Sequence, residues 1–263
     1  MVVLIYMIAV ISSLFSAEMH FFHKKGGRNI SDILYAVFTI MSVWTTVAYV
    51  CILTGLMIEI PWFYKTSAPV NLLIPPIGFL YVKYVLLGEK KIKYIELLHF
   101  LPALLMLFNY LPFYFIPIAE KTEIVRKVTT DLRFQYVSQD GILPERWYYV
   151  IRSCQSFIYI IIQFIYLQKF EQRNPWVKTT LVPKKVISWL RLYTLLYAII
   201  FCSFIVILLL LSFSKNTNLA NVNIVPSTIV ALCSLVINGY FLANYDLFYQ
   251  INNFNKYKPV YYN

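Results

Sequence analysis

The chain has 263 residues, of which 60% are hydrophobic and only 13% charged, with a formal net charge of +11. Ordinary soluble domains are roughly 45–50% apolar and about 25% charged, and over half of a folded exterior has to face water. A water-soluble globular domain is therefore excluded, and the composition implies an all-α integral membrane protein. Seven glycines and the lack of alternating ten-residue strands argue against a membrane barrel.

Bilayer crossings need about 20 mainly apolar residues. Seven runs meet this: residues 2–22, 30–58, 71–88, 95–116, 147–170, 186–213 and 224–248. No basic residue precedes the first run and no small-residue cleavage site follows it, so it reads as a retained helix rather than a signal peptide. His20 and His23 lie at its end, near Glu18.

The third run carries Pro75, Pro76 and Lys83. The prolines are expected in or near its first turn, where a missing N–H costs least; a gating hinge is the alternative. Lys83 has no acid close by in sequence and is expected to snorkel to the nearer interface. The fourth run opens with Glu96 and His99 in an ExxH spacing.

Residues 117–146 form the one long extracytoplasmic loop, between the fourth and fifth runs. In it Ile124, Val125, Val128 and Leu132 form an apolar stripe at helical spacing. An amphipathic helix on the mouth of the bundle is expected there, followed by a turn near residues 138–141 and Pro144. It reads equally as a lid or as a plain connector.

Lysine and arginine concentrate in the first, third and fifth loops, within residues 24–28, 90–93 and 169–191. The even loops are less basic, and the basic residues of loop 117–146 are matched by acids. Basic loops stay cytoplasmic. The expected topology is seven transmembrane helices with the N-terminus outside and the C-terminus cytoplasmic. Residues 1–248 then form one membrane domain and 249–263 a short cytoplasmic tail. Trp62, Tyr64 and Trp147–Tyr149 are expected at the outer interface, and Trp176, Trp189, Tyr245 and Tyr249 at the inner one. The basic excess suits anionic lipid better than nucleic acid.

Three runs place polar residues at alternating 4,3 spacing. The second has Tyr35, Thr39, Ser42, Thr46 and Tyr49. The fifth has Arg152, Ser156, Tyr159, Gln163 and Tyr166. The seventh has Ser227, Ser234, Asn238 and Tyr245, with Ala231 and Phe241 filling the pattern. Such spacing puts each set on one helix face, and in lipid a polar face turns inward. An interior seam shared by runs 2, 5 and 7 follows. It serves either as interhelical glue or as a ligand pocket in the outer half. The candidate ligand-binding residues are Arg152, Gln155, Tyr159, Gln163, Tyr49, Thr46 and Asn238. Arg152 leads because no acid sits at its depth in any run.

Catalytic patterns are scarce. His20, His23 and His99 are weak metal candidates that read more simply as interfacial polar residues. No HExxH, G-x-S-x-G or P-loop is present, and the run centres hold no acid of the kind expected of ion-coupled carriers. No enzyme and no cofactor is expected. Cys51, Cys154, Cys202 and Cys233 lie in separate apolar runs and read as small core residues.

Several stretches, in order and with their loop spacing, resemble the seven-span sensor region of membrane-bound AraC-type bacterial transcription regulators. They are NLLIPPIGFLYVKYVLL (71–87), IELLHFLPALLMLF (95–108) with YLPFYFIP (110–117), YYVIRSCQSFIYIIIQFIYL (148–167) and SWLRLYTLLY (188–197). The resemblance implies signal transduction across the bacterial inner membrane: an outside-facing sensor coupled to a cytoplasmic DNA-binding output. Similar regions occur on histidine kinases. The tail after the seventh run is too short for a helix-turn-helix, so the chain as given is expected not to bind nucleic acid itself. Its output would come from a segment or partner protein beyond it. The other expected partners are the lipid bilayer, an unidentified extracytoplasmic or membrane ligand and a second copy in a homodimer. A membrane enzyme and a small-molecule transporter are the alternatives.

Overall fold

The computed structural model describes residues 2–22, 29–88, 91–213, 219–252 and 254–257. Among these residues every regular element is helical. The first are α1 (Val2–Phe22), α2 (Ile30–Thr54), α3 (Ser67–Leu87), α4 (Leu101–Asn109), α5 (Leu111–Phe115) and α6 (Ile118–Thr130). Then come α7 (Phe134–Val137), α8 (Glu145–Arg173), α9 (Trp176–Thr179), α10 (Leu181–Phe213), α11 (Leu219–Ala243) and α12 (Tyr245–Asn252). Short 3-10 turns occupy Leu56–Ile58, Pro61–Phe63, Tyr94–Phe100 and Phe254–Tyr257.

Four segments are long and apolar enough to cross a membrane: Ile30–Thr54, Pro61–Leu87, Glu145–Arg173 and Leu181–Val206. Shorter apolar helices, Val3–Met19, Tyr94–Asn109 and Thr228–Ala243, stand at the other three expected runs.

Local chemistry sets the helix ends. Asn29 caps α2, and the Asp32 carboxylate accepts the Asn29 N–H at 3.2 Å in a reciprocal capping box. Gly55 and Gly88 close α2 and α3 at φ +78° and +65°, a left-handed conformation that glycine adopts without a Cβ clash.

The helices are sorted inside out relative to a soluble protein. Along the middle of α8 the exposed side chains include Val150, Phe157, Ile158, Ile161, Ile162, Phe164 and Ile165, while Gln155, Ser156, Tyr159 and Gln163 are buried. On α1 the apolar stripe Leu4, Met7, Ile8, Ile11, Leu14 and Phe15 faces outward, and Ser13 and Ser16 face in. Water would penalise this arrangement and lipid favours it.

α3 is the central helix, buried along most of its length. It packs on α2, α8 and α4. At Gly78 an added Cβ would meet the Tyr193 hydroxyl at 2.9 Å, so this glycine makes room for the buried tip of Tyr193 from α10. Around it lies an aromatic core of Tyr35, Tyr81, Trp189, Tyr193 and Phe241.

Several expectations are corrected. Trp189 is not an interfacial anchor: it is fully buried, stacks on Tyr240 and donates Nε1–H to the Tyr81 hydroxyl at 2.8 Å. Trp176 is buried against Phe254. Tyr64, Tyr148 and Tyr149 also turn inward, whereas Trp62 and Trp147 stay exposed. The side chains of Tyr245 and Tyr249 lie outside the described residues. Cys51 and Cys233 are buried, but Cys154 and Cys202 are exposed.

Pro75 and Pro76 do not sit in a first turn, because α3 begins at Ser67. Pro69 takes the early position and the pair falls mid-helix. Pro76 has no N–H to give to the Leu72 carbonyl. Gln155 of α8 supplies one instead, donating Nε2–H to Leu72 O at 3.1 Å. Lys83 is not left to snorkel, since its ammonium pairs with Glu96.

Candidate ligand cavity

Between α2, α3, α8, α10 and α11 lies a cavity of about 250 Å³. Its floor and walls are largely apolar, with Ile74 from α3, Ile200, Phe201 and Leu208 from α10, and Val230 from α11. Hydroxyls line the α2 side. Ser42, Thr45 and Thr46 each donate to a carbonyl of their own helix, at 2.8, 3.0 and 2.8 Å. This satisfies their protons and leaves their oxygens able to accept.

One end of the cavity is ionic. Lys65 precedes α3 and has φ +68°, rare for a residue with a side chain. Its Nζ lies 3.0 Å from Asp140 Oδ2 and 2.9 Å from Glu145 Oε2, and 4.7 Å from the centre of the Tyr64 ring. The Tyr110 hydroxyl donates to the same Glu145 oxygen at 2.7 Å. The other oxygen, Glu145 Oε1, is buried and has no hydrogen-bond partner.

The acids are delivered by a turn fixed to Asn109. The Ile142 and Leu143 N–H groups donate to its backbone and side-chain carbonyls at 3.0 and 2.8 Å. A Cβ on Gly141 would stand 2.5 Å from Asn109 Nδ2, so only glycine fits at that approach.

Two turns along α8 from Glu145, Arg152 reaches the cavity wall. Its guanidinium lies 3.9 Å over the Phe204 ring and donates to the Tyr148 hydroxyl at 3.4 Å. Among the described residues no acid pairs with it. The cavity therefore abuts an ionic cluster with one cation against two acids, of which Lys65 and Glu145 reach the lining, and a separate cation with no acid paired to it among the described residues.

The expected site residues divide. Arg152, Thr46 and Tyr49 line the cavity, as do Ser42, Ser156 and Ser234 of the polar faces. Gln155, Tyr159, Gln163 and Asn238 are buried but engaged elsewhere. Gln155 holds the Leu72 carbonyl. Tyr159 lies 2.6 Å from His99 Nδ1. Gln163 donates to Thr194 Oγ1 at 2.5 Å. Asn238 donates to Ser13 Oγ at 2.8 Å and accepts from the Tyr35 hydroxyl at 3.4 Å. The single seam expected through runs 2, 5 and 7 is thus split. α2 and α11 close on α1, while α8 closes on α3 and α10, and the faces meet again only around the cavity. Ser227 and Tyr245 lie outside the described side chains.

Beside the cavity mouth, α6 buries Val125 and Val128 against Phe63, Tyr64 and Phe113. After it, Arg133 hydrogen bonds hold the Asp131 carboxyl below its ordinary pKa. At the opposite end of α3, Glu96 receives the Lys83 ammonium and the Tyr84 hydroxyl. Among the described residues no group of three His, Cys, Asp or Glu side chains is placed to hold a metal; the side chain of His20 and all of His23 lie outside them.

The ionic end is not evident in the sequence. The acids of loop 117–146 match its own basic residues in number, yet Asp140 and Glu145 bind Lys65, which comes from a different loop. The one available signal was Lys65 itself, a lone cation beside an apolar run. No protein-family model, curated protein or solved structure matches this chain.

Proposed function

We propose that the chain is a seven-span sensor of the bacterial cytoplasmic membrane that binds a small ligand in the cavity between α2, α3, α8, α10 and α11. In this reading the N-terminus and the Lys65 end face outside and the C-terminus is cytoplasmic. Support comes from the loop charge bias and from the inside-out helix faces. The observation that carries the binding role is Arg152, a cation on the cavity wall with no acid paired to it among the described residues. Arg152 is half-buried at the cavity wall, so a bound anionic group would give its guanidinium a partner that the protein does not supply.

Binding would act on packing. α8 carries Arg152 and Glu145 on the cavity and Gln155 on α3, so a ligand that favours one placement of α8 shifts the bundle as a whole. α10 and α11 also line the cavity and would transmit the shift toward the cytoplasmic side. The resemblance to AraC-type membrane regulators supports transcription control as the output, through a cytoplasmic domain or partner protein.

The test has two arms. Reporters fused to each terminus in cells should report from different compartments; both in one compartment would remove the seven-span topology. Purified protein should gain thermal stability from its ligand, and Arg152→Ala should lose at least tenfold in affinity while still folded. A ligand shift that survives this change would remove the cavity role.

A carrier is the second reading. It is favoured by the interrupted run Tyr94–Phe115, built from a 3-10 turn and two short helices, and by the proline pair inside α3, since broken helices mark many transport sites. Solute counterflow in liposomes would establish the carrier, and its absence alongside ligand binding would establish the sensor.

A further inference from the structure

We infer that the cavity takes a small zwitterion with an apolar body, such as an apolar amino acid, its carboxylate on Arg152 and its ammonium on the free oxygen of Glu145. This rests on the ligand-binding role proposed above and names the ligand class.

The argument begins with charge. At one end Lys65 is shared by Asp140 and Glu145, which leaves that end net negative by one. At the other, Arg152 is net positive by one, with a phenyl face and a tyrosine hydroxyl as its neighbours. With Asp140 counted behind Lys65, the charges at and beside the cavity sum to zero but are polarised. A plain anion would satisfy Arg152 and leave an excess negative charge near Glu145. A plain amine would do the reverse. A ligand with both charges matches both ends and keeps the sum at zero, which a low-dielectric interior favours.

Hydrogen-bond capacity agrees. Glu145 Oε2 is saturated by Lys65 and Tyr110, while Oε1 is buried without a partner. It can only accept, so the ligand group beside it has to donate. The guanidinium of Arg152 only donates, and its fork suits a carboxylate.

Geometry limits the length. Glu145 and Arg152 are seven residues apart on α8, roughly 10 Å along the axis. Arg152 leans back toward Tyr148, one turn nearer to Glu145, which narrows the space between the charges. The volume of about 250 Å³ falls below the roughly 300–1,000 Å³ of drug-sized pockets. The ligand's two charged groups are therefore separated by a short backbone. Its side chain would lie against Ile74, Ile200, Phe201 and Leu208.

The experiment uses the full chain in detergent or nanodiscs and measures binding of L-leucine and L-phenylalanine. It adds two deletions of leucine: 4-methylpentanoate, which lacks the ammonium, and isopentylamine, which lacks the carboxylate. At least one amino acid should bind, and each deletion should weaken binding at least tenfold. Arg152→Ala should weaken leucine at least tenfold and leave isopentylamine unchanged. Glu145→Gln should weaken leucine and leave 4-methylpentanoate unchanged. If Glu145→Gln does not fold, the two deletions on the native protein decide alone. Binding of either deletion as tightly as leucine would overturn the zwitterion and leave the cavity role standing. If no amino acid binds but 4-methylpentanoate or isopentylamine does, the zwitterion alone falls. If nothing in the whole set binds, both fall.

Discussion

Two lysines stand near the two ends of α3, and they meet their acids under different conditions. Lys65, ahead of the helix, has 4% of its side chain exposed and shares two carboxylates drawn from a distant turn. Lys83, in the last turns, is 22% exposed and shares one carboxylate from the segment that follows. The first cluster also fixes the turn at residues 138–145, so it is both an ion site and a tether. The second ties the end of α3 to the start of the next run, and its lysine keeps access to solvent or lipid headgroups. Burial, rather than the number of contacts, separates what each is worth: a buried charge stripped of its partner has nowhere to go, while a partly exposed one can be rehydrated.

That contrast can be broken by substitution. Lys65→Met should be the most damaging change, lowering stability by about 3–5 kcal/mol because Asp140 and Glu145 are left together without a cation. A melting curve in detergent would read it, and adding Asp140→Asn and Glu145→Gln should recover much of the loss. Glu96→Gln should cost less, about 1–2 kcal/mol, since Lys83 can snorkel once released. Equal losses at the two ends would erase the distinction. Tyr159→Phe sharpens the comparison at the Glu96 end. It removes one bond to the half-buried His99 and should cost about 0.5–1.5 kcal/mol. A larger loss would mean that His99 belongs to the same cooperative unit as Glu96.

Much of the helix layout was legible because lipid and water demand different faces. α2, α8 and α10 fall within a few residues of their expected runs, and polar positions such as Tyr35, Thr39, Tyr159, Gln163 and Asn238 are buried as their spacing requires. What failed were inferences that depend on partners far away in sequence. Lys83 looked unneutralised because Glu96 lies beyond a loop. Lys65 gave no hint of its acids, which arrive from another connection. Trp176 and Trp189 lie among basic residues like interface anchors, yet tertiary packing draws them into the aromatic core. α3 starts at Ser67, four residues ahead of the expected run, because a proline such as Pro69 is tolerated in the first turn. For the candidate site, Arg152, Thr46 and Tyr49 could be found from spacing and unmatched charge. The Glu145 wall could not, because a periodic pattern reports which face is buried and not which helix it meets.

The bond from Gln155 to Leu72 gives α3 a repair that it cannot make for itself. A proline pair leaves a weak joint in a rod, and here the splint is carried by the neighbouring rod. The stiffness of the central helix is consequently set from next door. Any rotation of α8 that withdraws the amide unlocks the joint, and any that seats it straightens the rod. Because the amide lies one turn from Arg152 on the same helix, whatever grips the guanidinium also has a hand on the splint.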